Sequence, residues 1–304
     1  MSAQNGLRVR VGDPSDTDDG NTPRADGVQP KRTVVDWLRD DVNIRYTDIP
    51  VLACCLVSGL CDSVAVNAAG VFVSMQTGRH ANSAQGNTIF MALGASRLPA
   101  GEPLLWLKSL SSIAAFWLGC FFFSKSRHIH PTRRSTLVLS FLLQASLVFL
   151  AAAFAQTRLV AGFGATSVPG SDSNHEFKTS EDPLVMVPLA LLAFQFGGQI
   201  VTSRMLGYNE VPTNVLTSVY CDLLSDPKLF APLKENPKRN RRFLAVVLLI
   251  LGAITGGWLQ RSRAGMPGAL WISGAVKFII AVAWMAWAGN DSAESKLEKG
   301  VTKV

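Results

Sequence analysis

The sequence predicts an all-α integral membrane protein with six transmembrane helices, two short broken or re-entrant helices and a 3+3 inverted repeat. Of the 304 residues, 48% are hydrophobic and only 17% are charged, whereas soluble domains carry about 25% charged residues. The segments 103–124, 136–157 and 183–203 contain a single charged residue, Lys108. Runs of roughly 20 apolar residues match a hydrocarbon core of ~30 Å. These observations exclude an ordinary soluble enzyme, a disulfide scaffold and a disordered protein.

The apolar runs divide the chain into a membrane domain and two tails. Residues 1–44 are predicted to form a disordered cytoplasmic tail, because their first 35 residues are polar and rich in Asp, Gly, Pro, Ser and Thr. Residues 45–290 form the transmembrane domain, and residues 291–304 form a cytoplasmic C-terminal tail. The six predicted spans are 50–69, 103–124, 136–157, 183–203, 243–260 and 265–288.

Two further apolar segments, 87–95 and 211–221, are too short to cross the membrane. A helix of about ten residues covers only ~15 Å at 1.5 Å per residue. Such segments are usually re-entrant or broken helices that other parts of the protein shield from lipid. We therefore predict two short helices that do not cross.

The charges of the loops predict the orientation. The loop 125–134 carries four basic residues and no acidic one, and 228–242 carries six basic residues against Glu235. Basic loops collect on the cytoplasmic side, which also accounts for the net charge of +7 without a nucleic-acid partner. The acidic loop 158–182 is then outside and both termini are cytoplasmic, although Arg261 and Arg263 would lie outside against the rule. If 211–221 crossed fully, the most basic loop would lie outside.

This order of long and short segments predicts the inverted repeat. Spans one to three and spans four to six run in opposite directions, and in each half a short segment follows the first span. Discontinuous helices in corresponding positions of two inverted halves are typical of secondary transporters, whose sites lie near the midplane.

Asp62 is the first candidate for a solute or ion site, because an ionisable group within a span is costly and normally faces protein or a water-filled cavity. The alternatives are that it caps a helix or pairs with Arg204 or Lys277. Arg204 either snorkels to the interface or lies against an anionic ligand, and snorkelling is also open to Lys277.

Polar residues at the two breaks complete the candidate site. Small and hydroxyl residues at a broken helix leave backbone groups free to bind a ligand, or else they satisfy one another's hydrogen bonds. The predicted residues for substrate or ion binding are Asp62, Thr77, Gly78, Asn87, Thr88, Gln199, Arg204, Thr213 and Thr217.

Catalytic chemistry is not predicted. The sequence has no phosphate loop, no zinc-protease helix and no evident nucleophile–base pair, so we expect no enzyme activity, no metal and no cofactor. The five cysteines lie in apolar segments and are interpreted as buried thiols rather than as disulfides or metal ligands.

The motifs Ser58-Gly59-Leu60-Cys61-Asp62, Met75-Gln76-Thr77-Gly78 and Asn87-Thr88-Ile89-Phe90 resemble the YoaK-like family of polytopic membrane proteins (domain of unknown function 1275), as a fungal-type member. In the second half, Gly198-Gln199 with Arg204, and Val211-Pro212-Thr213 with Leu216-Thr217, resemble the same family. The resemblance spans about 45–290 and implies a polytopic membrane protein without an established activity.

One stretch departs from the family pattern. The eight residues 79–86 stand between Gly78 and Asn87, and deleting them restores the motif. We hypothesise that they are an artefact of splice-site choice, which sequencing of the transcript would decide.

The sequence thus predicts a small-solute secondary transporter or permease. The alternative is a membrane scaffold or regulator that transports nothing. The expected partners are the lipid bilayer and a small solute, not nucleic acid; the solute, the membrane and the oligomeric state stay open.

Overall fold

The computed structural model of the chain describes residues 33–76, 86–96, 103–157, 159–160, 163, 182–214 and 216–289. Within this part of the chain, six helices are long and apolar enough to cross a membrane. They are α2 (Asp48–Ala69), α4 (Leu105–Ser124), α5 (Arg134–Gln156), α6 (Met186–Met205), α8 (Pro237–Arg261) and α9 (Gly265–Ala286). The prediction of an all-α membrane protein with six spans is confirmed.

Three short α-helices accompany the long ones in the described part of the chain. They are α1 (Val34–Arg39), α3 (Asn87–Leu93) and α7 (Leu216–Leu224). Helix α3 begins where the sequence predicts, but α7 begins five residues later than the predicted segment 211–221. Thr213, with a φ of 57°, interrupts that segment before the helix starts. Helix α1 lies within the predicted N-terminal tail and is fastened to the bundle by an isolated β-bridge between Asp41 and Arg133.

Glycines set where two of the long helices end. Gly70 follows α2 with a φ of 74°, and its N–H donates to the carbonyl of Val66. Gly207 follows α6 with a φ of 85°. Left-handed backbone is readily accessible to glycine, which is why glycine commonly ends helices. The chain therefore turns back toward the bundle after each of these spans.

The six long helices pack in three principal pairs: α2 with α8, α4 with α6, and α5 with α9. The first pair approaches closely at Gly59 and Gly252, where an added Cβ would clash with a backbone carbonyl of the partner helix. The second pair does so at Gly119 and Gly197. Small residues at such crossings let backbones approach and are common between helices in membranes.

All six long helices share one end of the bundle that is rich in basic residues. The start of α2, α5 and α8 and the end of α4, α6 and α9 lie at this end, together with the loops 125–133 and 225–236. We refer to it as the basic end and to the other as the opposite end. Large apolar side chains on the outer faces of the helices are exposed, among them Trp117, Phe121, Leu139 and Ile279. This exposed apolar surface fits a lipid environment.

Candidate functional site

Two buried polar clusters lie inside the bundle, and α2 contributes to both. The loop cluster comprises Asp62, Ser74, Gln76, Asn87 and Ser112. The lysine cluster comprises Ser58, Gln144, Gln199, Asn214 and Lys277. On α2, Ser58 and Asp62 are separated by four residues, which is ~6 Å along the helix axis.

Asp62 anchors the loop cluster by holding the chain that follows α2. Its Oδ1 accepts from the backbone N–H groups of Val73 and Ser74 at 2.9 Å and 2.8 Å. Its Oδ2 accepts from the Ser74 hydroxyl. Neither Arg204 nor Lys277 forms an ion pair with it among the described residues. Asp62 therefore holds its own loop and pairs with neither of these two cations.

Asn87 holds the same loop from the other side. Its Nδ2 donates to the carbonyl of Phe72 at 2.7 Å, and its Oδ1 accepts from the N–H of Phe72 at 3.0 Å. Ser112 of α4 also donates to the Phe72 carbonyl at 2.7 Å. These bonds satisfy backbone groups that would be costly to leave unpaired in a membrane interior, so the segment 71–74 is fixed at the start of the short helix.

The lysine cluster is built around a lysine that does not reach the interface. Lys277 is fully buried near the middle of α9. Its Nζ donates to Gln144 Oε1 at 2.7 Å and to Gln199 Oε1 at 2.6 Å. The Nζ atom also lies 5.4 Å and 5.8 Å from the ring centroids of Phe141 and Phe196. Snorkelling of Lys277 is therefore wrong, because amide oxygens on α5 and α6 replace water as its partners.

Gln199 joins the two halves of the chain through the lysine cluster. Its Nε2 donates to Ser58 Oγ at 2.9 Å and to the carbonyl of Cys54 at 3.2 Å, both on α2. It also donates to Asn214 Oδ1 at 3.0 Å, and that oxygen accepts from the Thr213 hydroxyl at 2.9 Å. The predicted residues Gln199 and Thr213 thus belong to one network.

The remaining predicted residues fall outside both clusters or outside the described part of the chain. Arg204 is exposed and donates to the side chain of Asn209 at 3.1 Å, so it lies at the basic end as a snorkelling residue would. Thr88 and Thr217 are also exposed. Thr77 and Gly78 lie outside the described residues. Among the described residues, no hydrogen bond joins Asn87 to the segment 213–218, and each short helix is tied to its own half.

Two cysteines depart from the prediction that all five are buried. Cys221 is exposed on α7, and Cys120 is half-buried, whereas Cys54, Cys55 and Cys61 are buried; all five are free thiols. Of the five members of the lysine cluster, four were not among the predicted site residues: Ser58, Gln144, Asn214 and Lys277. An amide within an apolar run carries no charge signal, which is why sequence reasoning passed over Gln144.

The basic end is fastened by a third group of side chains, which lie at the ends of the spans and in the loop after α6. Arg241 lies 2.7 Å from Glu210 and stacks over the ring of Tyr208 at 5.1 Å. Tyr208 shares a hydrogen bond of 2.8 Å with Thr47. Burial raises the pKa of Tyr208 above its ordinary value of 10, so its hydroxyl stays protonated at neutral pH. This group links the loop after α6 to the starts of α2 and α8.

The fold and its buried polar clusters define a multi-spanning membrane protein with a polar centre. A family model described as "Protein of unknown function (DUF1275)" matches residues 51–283. The chain belongs to this family. Searches of the curated proteins and of the solved structures find no match.

Proposed function

We propose that the protein is a secondary transporter or permease for a small solute. The observation that carries the proposal is the lysine cluster, in which polar side chains from α2, α5, α6 and α9 converge around a fully buried lysine. Ionisable groups inside a membrane are costly and commonly mark solute or ion pathways. A protein that only had to fold could fill the same volume with apolar side chains.

The packing of the helices supports a 3+3 inverted repeat as the basis of transport. In an inverted repeat, α2, α4 and α5 correspond to α6, α8 and α9. The α2–α8 pair then corresponds to the α4–α6 pair, and the α5–α9 pair corresponds to itself. Asp62 corresponds to Gln199, since each lies eight residues before a glycine with positive φ, Gly70 or Gly207. In this proposal the two halves rock around the centre and expose it to either side in turn.

The competing function is a scaffold or regulator that transports nothing. One observation favours it: the carboxylate of Asp62 is engaged by its own loop, as expected of a group that only stabilises a helix break. The narrower YoaK-like, fungal-type assignment and the absence of enzyme activity also remain predictions.

The native thiols of α2 provide a test that needs no knowledge of the solute. Cys54 and Cys61 lie two turns apart on either side of Ser58 and are electrostatic neighbours of Lys277. Variants should be made that keep one of these cysteines and replace the other four with alanine. A cationic, membrane-impermeant methanethiosulfonate is then applied from each side. Transport predicts that Cys61 reacts from the opposite end and Cys54 from the basic end.

Cys55 supplies the matched control, because it is as deeply buried on the same helix but lies next to Cys54 rather than at the cluster. A variant that keeps only Cys55 should stay unlabelled from both sides. If Cys54 and Cys61 are equally unreactive from both sides in folded protein, the transporter proposal fails and the scaffold is favoured.

We also propose that the basic end is cytoplasmic, following the concentration of basic residues there. The exposed Cys221 lies at this end and is a native reporter. In intact cells an impermeant thiol reagent should leave Cys221 unlabelled and should label a cysteine introduced at Ser173 in a Cys221→Ala background. The reverse pattern would overturn the orientation.

A further inference from the structure

Lys277 has one hydrogen-bond acceptor fewer than its protonated form requires. A neutral amine has two N–H donors, and an ammonium has three. Two acceptors meet Nζ, Gln144 Oε1 and Gln199 Oε1. Among the described residues, no carboxylate forms an ion pair with it. The two amides therefore satisfy the neutral amine, and a protonated Lys277 requires one more acceptor and a negative charge.

Gln195 is a second, independent sign of a ligand. It is fully buried on α6, and neither its Nε2 nor its Oε1 has a hydrogen-bond partner in the described part of the chain. A buried amide without partners is costly, and such groups call for a water or ligand. Gln195 lies four residues before Gln199, so both side chains project from the same face of α6.

The helix directions place Gln195 toward the opposite end of the bundle. Helices α2 and α6 are antiparallel, and Ser58 meets Gln199. One turn from this contact toward the opposite end leads to Asp62 on α2 and to Gln195 on α6. Gln195 thus lies one turn from Gln199, the amide partner of Lys277, and near the level of the engaged carboxylate of Asp62.

The titratable groups around Lys277 come from few elements. Helix α2 contributes the thiols of Cys54 and Cys61, with Asp62 adjacent in sequence. Helices α5 and α6 contribute amides and aromatic rings. Helix α8 carries its charges only near its ends, at residues 238–242 and 261. No fixed negative charge of these elements pairs with the Lys277 ammonium.

We propose that Lys277 and Gln195 bind a small monovalent oxyanion together with one proton. This inference rests on the proposed transport function and specifies its solute. When the amine of Lys277 takes up a proton, its third N–H donates to an oxygen of the anion. A second oxygen accepts from Gln195 Nε2, and Gln195 Oε1 accepts from a water that enters with the anion. On the other side of the membrane the anion and the proton leave and the neutral amine is restored.

The balance of this cycle is electroneutral. One proton and one monovalent anion cross together, so loading the site adds no net charge to it. The rate should therefore respond to the gradients of proton and anion but not to the membrane potential.

The test uses purified full-length protein in liposomes that contain the pH-sensitive dye pyranine. Potassium nitrate or potassium pyruvate is added outside, and valinomycin with potassium clamps the potential. We expect the interior to acidify with one or both anions, at a rate that is unchanged when the clamped potential is varied. Protein-free liposomes give the background.

Three variants assign the residues. Lys277→Met should lower the rate at least tenfold. Lys277→Arg keeps a cation that does not release its proton, so it should retain exchange of labelled pyruvate for internal pyruvate but lose net acidification. Gln195→Leu should raise the half-saturating anion concentration about tenfold while the ratio of proton to anion stays at one. Thr202→Ala on the same helix is the control and should behave as wild type. In the described part of the chain, the buried hydroxyl of Thr202 bonds only the carbonyl of Gly198 on its own helix.

Several results would overturn the proposal. Full acidification by a folded Lys277→Met protein would remove Lys277 from the cycle. Anion movement that follows the potential without acidification would remove the proton. If neither anion acidifies the liposomes while Cys54 and Cys61 react from opposite sides, the oxyanion site fails and the transport proposal stands. If the thiols are also unreactive, both fail.

Discussion

The two halves of the chain place different side chains at corresponding points, and the difference separates a structural group from a candidate functional one. Asp62 and Gln199 each lie eight residues before a left-handed glycine. Asp62 accepts from three donors of its own loop, whereas Gln199 binds Ser58 on α2 of the other half as well as Lys277 and Asn214 of its own half. The charged residue is thus locally satisfied, and the neutral one connects the bundle.

This comparison reverses the expectation drawn from charge alone. A carboxylate in a span is the more conspicuous residue in the sequence. In the fold, however, its oxygens accept hydrogen bonds from the backbone N–H groups that are free at a helix break. An amide has both donors and acceptors, so it can relay hydrogen bonds between a lysine and a backbone carbonyl. In this fold the carboxylate of Asp62 holds its loop, and the amide of Gln199 connects the side chains of the polar centre.

The largest loss of stability is expected when Asp62 is replaced, and this variant tests the comparison most directly. Asp62→Ala would leave the N–H groups of Val73 and Ser74 and the Ser74 hydroxyl without an acceptor. Each buried unmet donor costs about 1–3 kcal/mol, so the free energy of unfolding should fall by several kcal/mol. We expect poor accumulation and a clearly lowered midpoint of thermal unfolding in detergent.

Two variants sharpen that result. Asp62→Asn keeps one acceptor oxygen and should lose less stability. Gln199→Leu should also lose less, because it leaves one donor, that of Lys277, without an acceptor, whereas Ser58 still bonds the carbonyl of Cys54 and Asn214 still accepts from Thr213. A midpoint for Asp62→Ala equal to that of the wild type would show that the loop cluster does not stabilise the fold.

A smaller effect is expected where α2 meets α8. A Cβ at Gly252 would clash with the carbonyl of Leu56, whereas a Cβ at Gly257 on the same helix meets no heavy atom within 4 Å. Overpacking of a close contact costs typically about 1–3 kcal/mol, while alanine is favoured over glycine in an open helix position by roughly 0.5–1 kcal/mol. Gly252→Ala should therefore lower the unfolding midpoint and Gly257→Ala should keep or raise it.

The same measurement compares the two helix pairs. Gly119→Ala on α4 would clash with the carbonyl of Phe194 on α6, so it should destabilise the protein about as much as Gly252→Ala. A large loss at Gly252 with none at Gly119 would contradict the equivalence of the α2–α8 and α4–α6 pairs.

The long helices could be predicted from the sequence because hydrophobic length is a local property. The prediction was less accurate at α8, which begins at Pro237 rather than at residue 243. Its first turn is formed by Pro237 and basic residues, with Asn236 as the N-cap. A helix start of this kind depends on capping and on proline at the first position, which a count of apolar residues does not register.

The polar centre could be predicted only in part, because its contacts are distant in sequence. Gln199 was identified, but Lys277 finds its acceptors 133 and 78 positions away. Only the fold shows that these amides replace the interface as its polar environment. Gln195 could not be identified from the sequence. What distinguishes it from any other glutamine in an apolar run is its lack of hydrogen-bond partners, which only the fold shows.

The smallest effect is expected from deleting residues 79–86. Asn87, the first residue of α3, lies 17 positions after Gly70, whereas Leu216, the first residue of α7, lies nine positions after Gly207. Removing the eight residues makes the first spacing nine as well, and it places Gly78 directly before Asn87, where Gly86 now forms the N-cap. The partners of Asp62 and Asn87 at 72–76 are untouched.

Because doubling the length of a loop costs only about 0.6 kcal/mol, the shortened protein should keep the wild-type unfolding midpoint or exceed it slightly. It should also keep the reactivity of Cys54 and Cys61 toward thiol reagents. A deletion variant that accumulates poorly would show that the eight residues are an integral part of the first half, and it would contradict both the hypothesis of a splice artefact and the correspondence of the two short helices.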